Sequence, residues 1–485
     1  MERLTFNLGR AGNGPLVVAG RHTKPAPLAS PVRTAIAVVR DRYDADYLWM
    51  IAFTAILFFR PQDHFPPLAV LHLAELTALG GLAAMAVRRL SSGQTVTKVN
   101  AELIGVVALG ALILFTIPFS TWPSGSLKVF SDIYVKIILI FALMVTTLTT
   151  AKRLQQMTWV MLVASGYIAA RAVLDYARGV NLTEGDRVRG AVGGIFENPN
   201  DLALNLVTFL APALFIVLYE RRTSRRLFAA GIAATMAMAI VCTKSRSGFL
   251  GLAAMLLVVA YYALKARPTL VLAGVVAVVI AMPMMPASFW NRMTSIFEAD
   301  QDPTGSREAR IKIMEKGLQV FMDNPVTGVG AGQFQNYDAN NSSGADKWRV
   351  THNVWLQVST ELGIFGLLIF GFLVVRAYQA CTRTLVLLKG PRRNKRRKPM
   401  PEEPAFVTEP ERQILETTAK GMLAALIGWT VCAFFASVAF NWTFYYVLAL
   451  AVACHEVTAS RWRQARQVEE PAQARVGAGW ARVHA

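Results

Sequence analysis

Three short stretches of this 485-residue chain gather cations, hydroxyls and glycines at spacings suited to holding an anion. The first is Arg187-Val188-Arg189-Gly190, followed by Gly193-Gly194 and by Glu197-Asn198-Pro199-Asn200-Asp201. Glycine-rich backbone running into a helix N-terminus, with arginines before it, offers N–H donors and guanidinium forks to a negative group. The second is the tight turn Lys244-Ser245-Arg246-Ser247-Gly248, with two cations and two hydroxyls between apolar runs. The third is Ser306-Arg307-Glu308-Ala309-Arg310 with Lys312, and it opens a stretch whose Ile311, Met314, Leu318 and Phe321 recur at helical spacing. Those four read as one face of an amphipathic helix lying on a bilayer surface. Headgroup anchoring, or a salt bridge to Glu184, Asp186 or Glu308, would account for any one cluster alone. Several arginines from separate hairpins at one membrane level favour a shared polyanion site, and a diphosphate is the natural candidate.

A possible base lies further on, in Trp348-Arg349-Val350-Thr351-His352-Asn353. Asn353, Gln357 and Glu361 follow four residues apart, hence on one face of a helix. Such a stripe is costly in a bilayer unless it lines a wet or buried site, so it should face the bundle interior. An imidazole at its mouth can accept the proton of a hydroxyl nucleophile, although a lone His at a helix start more often caps or packs. Asp300-Gln301-Asp302 could offer hard oxygen ligands to a divalent cation, but Asp pairs are common in polar loops. No His-x-x-x-His or Cys-x-x-Cys pair stands nearby for zinc, and no Walker-type loop indicates ATP, so no metal or other cofactor is expected.

The elements that must position these residues are membrane helices. The chain is 54% apolar and 17% charged, against about 25% charged for a soluble chain. Apolar content excludes disorder, the 34 glycines show no period of three, and 4 cysteines make no disulfide framework. Apolar runs near span length occur at 47–59, 65–87, 101–119, 129–150, 154–174 and 199–219, then at 227–243, 248–264, 268–285, 355–378, 420–440 and 442–460. The expectation is an all-α polytopic membrane protein of about twelve helices. Helices 1–9 fill 47–285, a long loop covers 286–354, and helices 10–12 fill 355–460 around a basic loop at 379–419.

The net charge of +19 would suggest nucleic acid in a soluble protein. In a membrane protein it reflects cytoplasmic Lys and Arg, so no nucleic-acid partner is expected. With twelve spans the basic groups segregate together: Arg33, Arg40 and Arg42, Arg88-Arg89, Lys152-Arg153, the arginines of 221–226, Lys265 with Arg267, the Arg392–Lys398 run, and Arg461 with Arg463. That side is read as the cytoplasm, with both termini (1–46 and 461–485) on it and the long loop exported. The polar, basic residues 1–46 have no apolar core and read as a cytoplasmic tail rather than a signal peptide.

At these residues the chain resembles the O-antigen ligase and polymerase superfamily of bacterial envelope glycosyltransferases. The matching pieces come in order over residues 187–366. They are Arg189-Gly190, Asn198-Pro199-Asn200-Asp201-Leu202-Ala203, Ser245-Arg246-Ser247-Gly248 and Arg310. Asn324-Pro325-Val326-Thr327-Gly328-Val329-Gly330-Ala331-Gly332-Gln333-Phe334 follows, then His352-Asn353 with Leu356-Gln357, Glu361, Gly363 and Gly366. The resemblance implies a metal-independent transferase of GT-C-like architecture in the inner membrane. It would move a glycan from undecaprenyl diphosphate to an acceptor on the periplasmic side, either lipid A core or another glycan or protein hydroxyl. Arg246 and Arg310 would bind the donor diphosphate, His352 would act on the acceptor hydroxyl, and either Arg187 or Arg189 corresponds to a further family arginine. Lys244 is a further candidate for the diphosphate, with Asn198, Asn200, Ser245, Asn353, Gln357 and Glu361 in support. The competing readings are a polymerase joining lipid-linked repeat units, and a flippase that holds the same diphosphate without breaking a bond. Against a flippase, few cations lie within the expected spans, Lys136 and Arg171 among them.

Overall fold

The computed structural model describes residues 44–183, 186–190, 196–285, 287–294, 306–341, 350–389 and 406–483, with side chains of the last segment to 467. The tail 1–43, the Gly193-Gly194 segment, Asp300-Gln301-Asp302 and the Arg392–Lys398 run lie outside them.

Helices lie over all twelve apolar runs. They are α1 (Ala45–Phe59), α2 (Leu73–Ser91, entered through a 3-10 turn at Pro66–Leu71), α3 (Ala101–Thr116) and α4 (Val135–Thr147, preceded by Pro123–Val129 and one π turn). Then come α5 (Ala151–Arg178), α6 (Pro199–Tyr219), α7 (Thr223–Thr243), α8 (Arg246–Ala266) and α9 (Pro268–Ala281). The chain continues through α10 (Ala287–Thr294), α11 (Ser306–Asp323), α12 (Phe334–Asn341), α13 (Val354–Lys389), α14 (Glu409–Ala433) and α15 (Trp442–Val483). Among the described residues, eight helices are long and apolar enough to cross a membrane. α9 is a shorter apolar helix, and α1 has 15 residues. The protein is an all-α polytopic membrane protein; among the described residues the one strand pair is Leu182–Thr183 antiparallel to Arg187–Val188.

The helix ends follow ordinary capping chemistry. Asn100 opens α3 by accepting from Leu103 N at 2.8 Å, Thr150 opens α5, and Thr408 with Glu411 forms a capping box on α14. α6 is the central helix, almost wholly buried among α5, α7, α8 and α14. Outward residues such as Leu79, Leu257, Val275 and Ile280 are exposed and apolar, which suits contact with lipid tails. Cross-helix ion pairs help to tie one end of the bundle. Asp46 meets Arg88 at 2.7 Å between α1 and α2, and Glu102 meets Arg376 at 2.5 Å between α3 and α13.

Three features depart from the apolar-run reading. The loop expected at 379–419 is helical at both its ends, where α13 continues to Lys389 and α14 begins at Glu409. The run 420–440 does not stay helical: α14 stops at Ala433, and a short break leads to Asn441, whose side chain accepts from Thr443 N at 2.9 Å as α15 begins. Helix α13 is kinked at Gly363 (φ 66, ψ −162). There the loop Asn324–Gln333 docks onto it, with Val329 N on Thr360 O at 2.9 Å, Gly330 N on Glu361 O at 3.0 Å and Ile364 N on Pro325 O at 2.8 Å. A Cβ on Gly328 would overlap the Glu361 backbone, and one on Gly363 would overlap the Val326 backbone. Close approach and left-handed φ together reserve both positions for glycine.

Candidate functional site

At one end of the bundle, the hairpin and the first turns of α6 and α8 share one polar network. Arg187 is buried; its Nε donates to Thr243 O at 3.1 Å and its guanidinium to Asn200 Oδ1 at 2.8 Å. Ser245 Oγ donates to the same Asn200 oxygen at 2.8 Å and accepts from Gly248 N at 3.1 Å, which caps α8. Asn198 caps α6 by accepting from Asn200 N at 2.8 Å. A Cβ on Gly248 would overlap Ala203, so the glycine lets the α8 entry lie against α6. Asn200, Ser245 and Arg187 thus hold the two helix entries and the hairpin together.

The cations in this region divide by environment. Lys244 is 2% exposed and pairs with Asp186 at 2.5 Å, its ammonium 5.6 Å from the centre of the Tyr176 ring. Its backbone is left-handed (φ 47), as is that of Asp186 (φ 66). Arg189 is exposed and Arg246 half-buried. Of the two cations in the 244–248 turn, Arg246 is partly exposed, while the Lys244 side chain turns into the protein.

Arg310 belongs to α11. Ile313, Gly317 and Val320 of that helix are buried: Gly317 faces Leu356 of α13, and Ile313 and Val320 form a small core with Val329 and Phe334. Arg310, half-buried, continues that inward stripe one turn earlier. Ile311, Met314, Leu318 and Met322 are exposed on the opposite side, and Phe321 is half-buried. The amphipathic stretch is therefore a helix with two apolar faces, of which the inner packs on the bundle.

His352 stands where the backbone turns into α13, at φ 48, and its N–H donates to Ser437 Oγ at 3.0 Å. Ser437 also shares a 2.8 Å hydrogen bond with the Thr351 hydroxyl. A left-handed conformation at a histidine costs on the order of 1 kcal/mol or more and persists only where neighbours impose it. Here the neighbour is the break between α14 and α15. Asn353 caps α13, with Oδ1 accepting from Trp355 N at 2.9 Å and Leu356 N at 3.1 Å. Gln357 accepts from Ala439 N at 3.0 Å, and Glu361 Oε2 accepts from Gly332 N at 2.7 Å. The stripe Asn353, Gln357, Glu361 is buried as its spacing predicts, and these bonds spend it on backbone: it seats the α14–α15 break and the Asn324–Gln333 loop.

The two halves meet at residues 432–437. Cys432 Sγ donates to Ser247 O at 3.4 Å, next to Arg246, and Ser437 holds His352. Ser437 and Thr351 were not candidates from sequence; a serine in an apolar run gives no signal until the helix is seen to break there. Among the described residues no three His, Cys, Asp or Glu side chains gather as a metal site.

Residues 231–371 match the family model described as O-antigen ligase. The stretch takes in Lys244, Ser245, Arg246, Arg310, His352, Asn353, Gln357 and Glu361, and leaves Arg187, Arg189, Asn198 and Asn200 before it. It supports the resemblance to the O-antigen ligase and polymerase superfamily. No curated protein matches the chain.

Proposed function

We propose that the protein is a glycosyltransferase that moves a glycan from undecaprenyl diphosphate to an acceptor hydroxyl on the periplasmic face of the inner membrane. The family match supports O-antigen ligase or polymerase function in general, with a lipid-linked glycan and an acceptor as partners. The observation that carries the finer reading is the common seat of a cation and a base. Residues 432–437 bind both the turn that presents Arg246 and the backbone of His352.

In this reading Arg189, Arg246 and Arg310, exposed or half-buried, bind the donor diphosphate, while Arg187 and Lys244, buried, hold the framework. His352 takes the proton of the acceptor hydroxyl as that oxygen attacks the anomeric carbon. The anomeric C–O bond to the diphosphate breaks, and undecaprenyl diphosphate leaves with the bonding electron pair. Preorganised guanidinium groups favour this step because negative charge grows on the leaving group. No metal enters the scheme, so transfer should persist in EDTA.

The test is transfer by purified protein in lipid, given an undecaprenyl diphosphate glycan with lipid A core or with a second donor. His352→Ala should abolish transfer and keep donor binding, whereas Arg246→Ala and Arg310→Ala should weaken donor binding. Normal transfer by a well-folded His352→Ala protein would sink the mechanism. Attachment to lipid A core marks a ligase, and lengthening without core marks a polymerase. Donor movement across the bilayer with no new glycosidic bond would identify a flippase.

A further inference from the structure

At the opposite end of α6 from Asn200, a cavity of about 290 Å³ opens between α5, α6 and α14. Asn200 and Ile216, which lines the cavity, are separated by about 24 Å of helix at 1.5 Å per residue. The cavity therefore lies at the other end of the bundle from the candidate site. Its mouth carries Arg221 and Arg222 from the turn between α6 and α7, and Arg225 from the first turn of α7. Its walls add Gln155 and Thr158 of α5 and Gln413 and Thr417 of α14, over an apolar floor of Pro212 and Ile216.

The wall is built rather than incidental. Gln413 donates to Tyr219 O and joins α14 to the end of α6, and Pro212 packs against Gly421 of α14. Glu220 is the one acid in the lining; it accepts from Arg222 N at 3.0 Å, with Arg225 4.0 Å from its other oxygen. Three guanidinium groups against one carboxylate leave the cavity mouth positive. α7 starts here without a side-chain cap, which adds the positive end of its backbone dipole. Basic residues that only fix topology need a solvated loop; these stand at a hollow lined by hydroxyls and amides, where a phosphoester can be held by charge and by hydrogen bonds at once.

We infer that this cavity binds a phosphoester anion, supplied by the headgroup of an anionic membrane lipid whose acyl chains lie along the apolar helix surface. The site is separate from the transfer site and does not depend on the reaction assigned to it. Its position, on the side that the charge rule assigns to the cytoplasm, suits the anionic leaflet.

The test uses the full chain in nanodiscs of phosphatidylcholine alone, of phosphatidylcholine with phosphatidylglycerol, and of phosphatidylcholine with inorganic phosphate in the buffer. Phosphatidylglycerol should raise Tm by about 4 °C. The triple variant Arg221→Gln, Arg222→Gln, Arg225→Gln changes exposed side chains only, and should fold and lose that rise. Arg383→Gln, Lys389→Gln, Arg466→Gln removes the same charge from exposed positions outside the cavity and should keep it. A rise that survives in the cavity variant, or that disappears equally in the control, overturns the proposal. A rise with inorganic phosphate that the cavity variant lacks supports the phosphoester site and assigns its occupant to solution instead of the bilayer.

Discussion

Arg187 and Arg189 are two residues apart and chemically identical, and in the proposed mechanism their environments give them different roles. Arg187→Ala would strip Asn200 Oδ1 and Thr243 O of buried charged donors, which costs about 2–3 kcal/mol. Its Tm should fall and donor binding should fall with it. Arg189→Ala alters an exposed side chain, so Tm should hold while donor affinity drops. Thermal unfolding and binding of a lipid-linked donor, measured on both variants, check the assignment; a stable Arg187→Ala protein with lost binding would exchange the two roles. In the proposed mechanism Ser437 positions His352, since it accepts a hydrogen bond from the His352 backbone N–H. Ser437→Ala should lower kcat by on the order of 10- to 100-fold with KM for donor unchanged, and Ser437→Thr, which keeps the hydroxyl, should restore part of it. An equal loss in both variants, with lowered Tm, would make Ser437 merely structural. The candidate residues themselves were legible in sequence because charge and glycine patterns are local. Their division into framework and binding groups was not, because burial of Arg187 and Lys244 depends on Asn200, Thr243 and Asp186, partners brought close by folding.

At the scale of elements, the apolar runs mark where helices lie, and caps such as Thr150 and Ser245 stand just ahead of the runs they open. However, α13 runs on to Lys389 and α14 starts back at Glu409, because polar residues continue a helix that hydropathy alone ends. The break after Ala433 and the kink at Gly363 were not readable, because both are imposed by what docks against them. Gly363→Ala tests this. The added methyl meets the Val326 backbone at a left-handed φ, so the junction should lose roughly 2 kcal/mol or more. Hydrogen exchange should then speed up over residues 324–333 and at Glu361, with the far end of α13 unchanged. Unchanged exchange there would mean that the loop is held by something other than this junction. Helix α11 shows the complementary case. Its outward Ile311, Met314, Leu318 and Met322 were visible as a helical repeat, and the inward Arg310, Ile313, Gly317 and Val320 were not singled out as a stripe because glycine and arginine interrupt its hydropathy.

For the whole molecule, everything asked of the transfer site depends on which end of the bundle is outside. The Arg246 and His352 end carries exposed apolar side chains on α11, and the other end carries the arginines of 221–226 with Arg88 and Arg89. The charge rule places the second group in the cytoplasm. All four native cysteines are buried, so a single introduced thiol at an exposed place reports its own side. Ser92 and Thr223 are exposed at the arginine-rich end, and Gln319 is exposed on α11. With a membrane-impermeant maleimide, Gln319→Cys should label in intact spheroplasts, while Ser92→Cys and Thr223→Cys should label only after permeabilisation. The reverse pattern would turn the arginine and histidine end toward the cytoplasm, where nucleotide sugars are available and acceptors outside the inner membrane are not. It would also place the phosphoester cavity on the outer leaflet. Transfer from undecaprenyl diphosphate to a periplasmic acceptor would then be untenable, even with every hydrogen bond of the site in place.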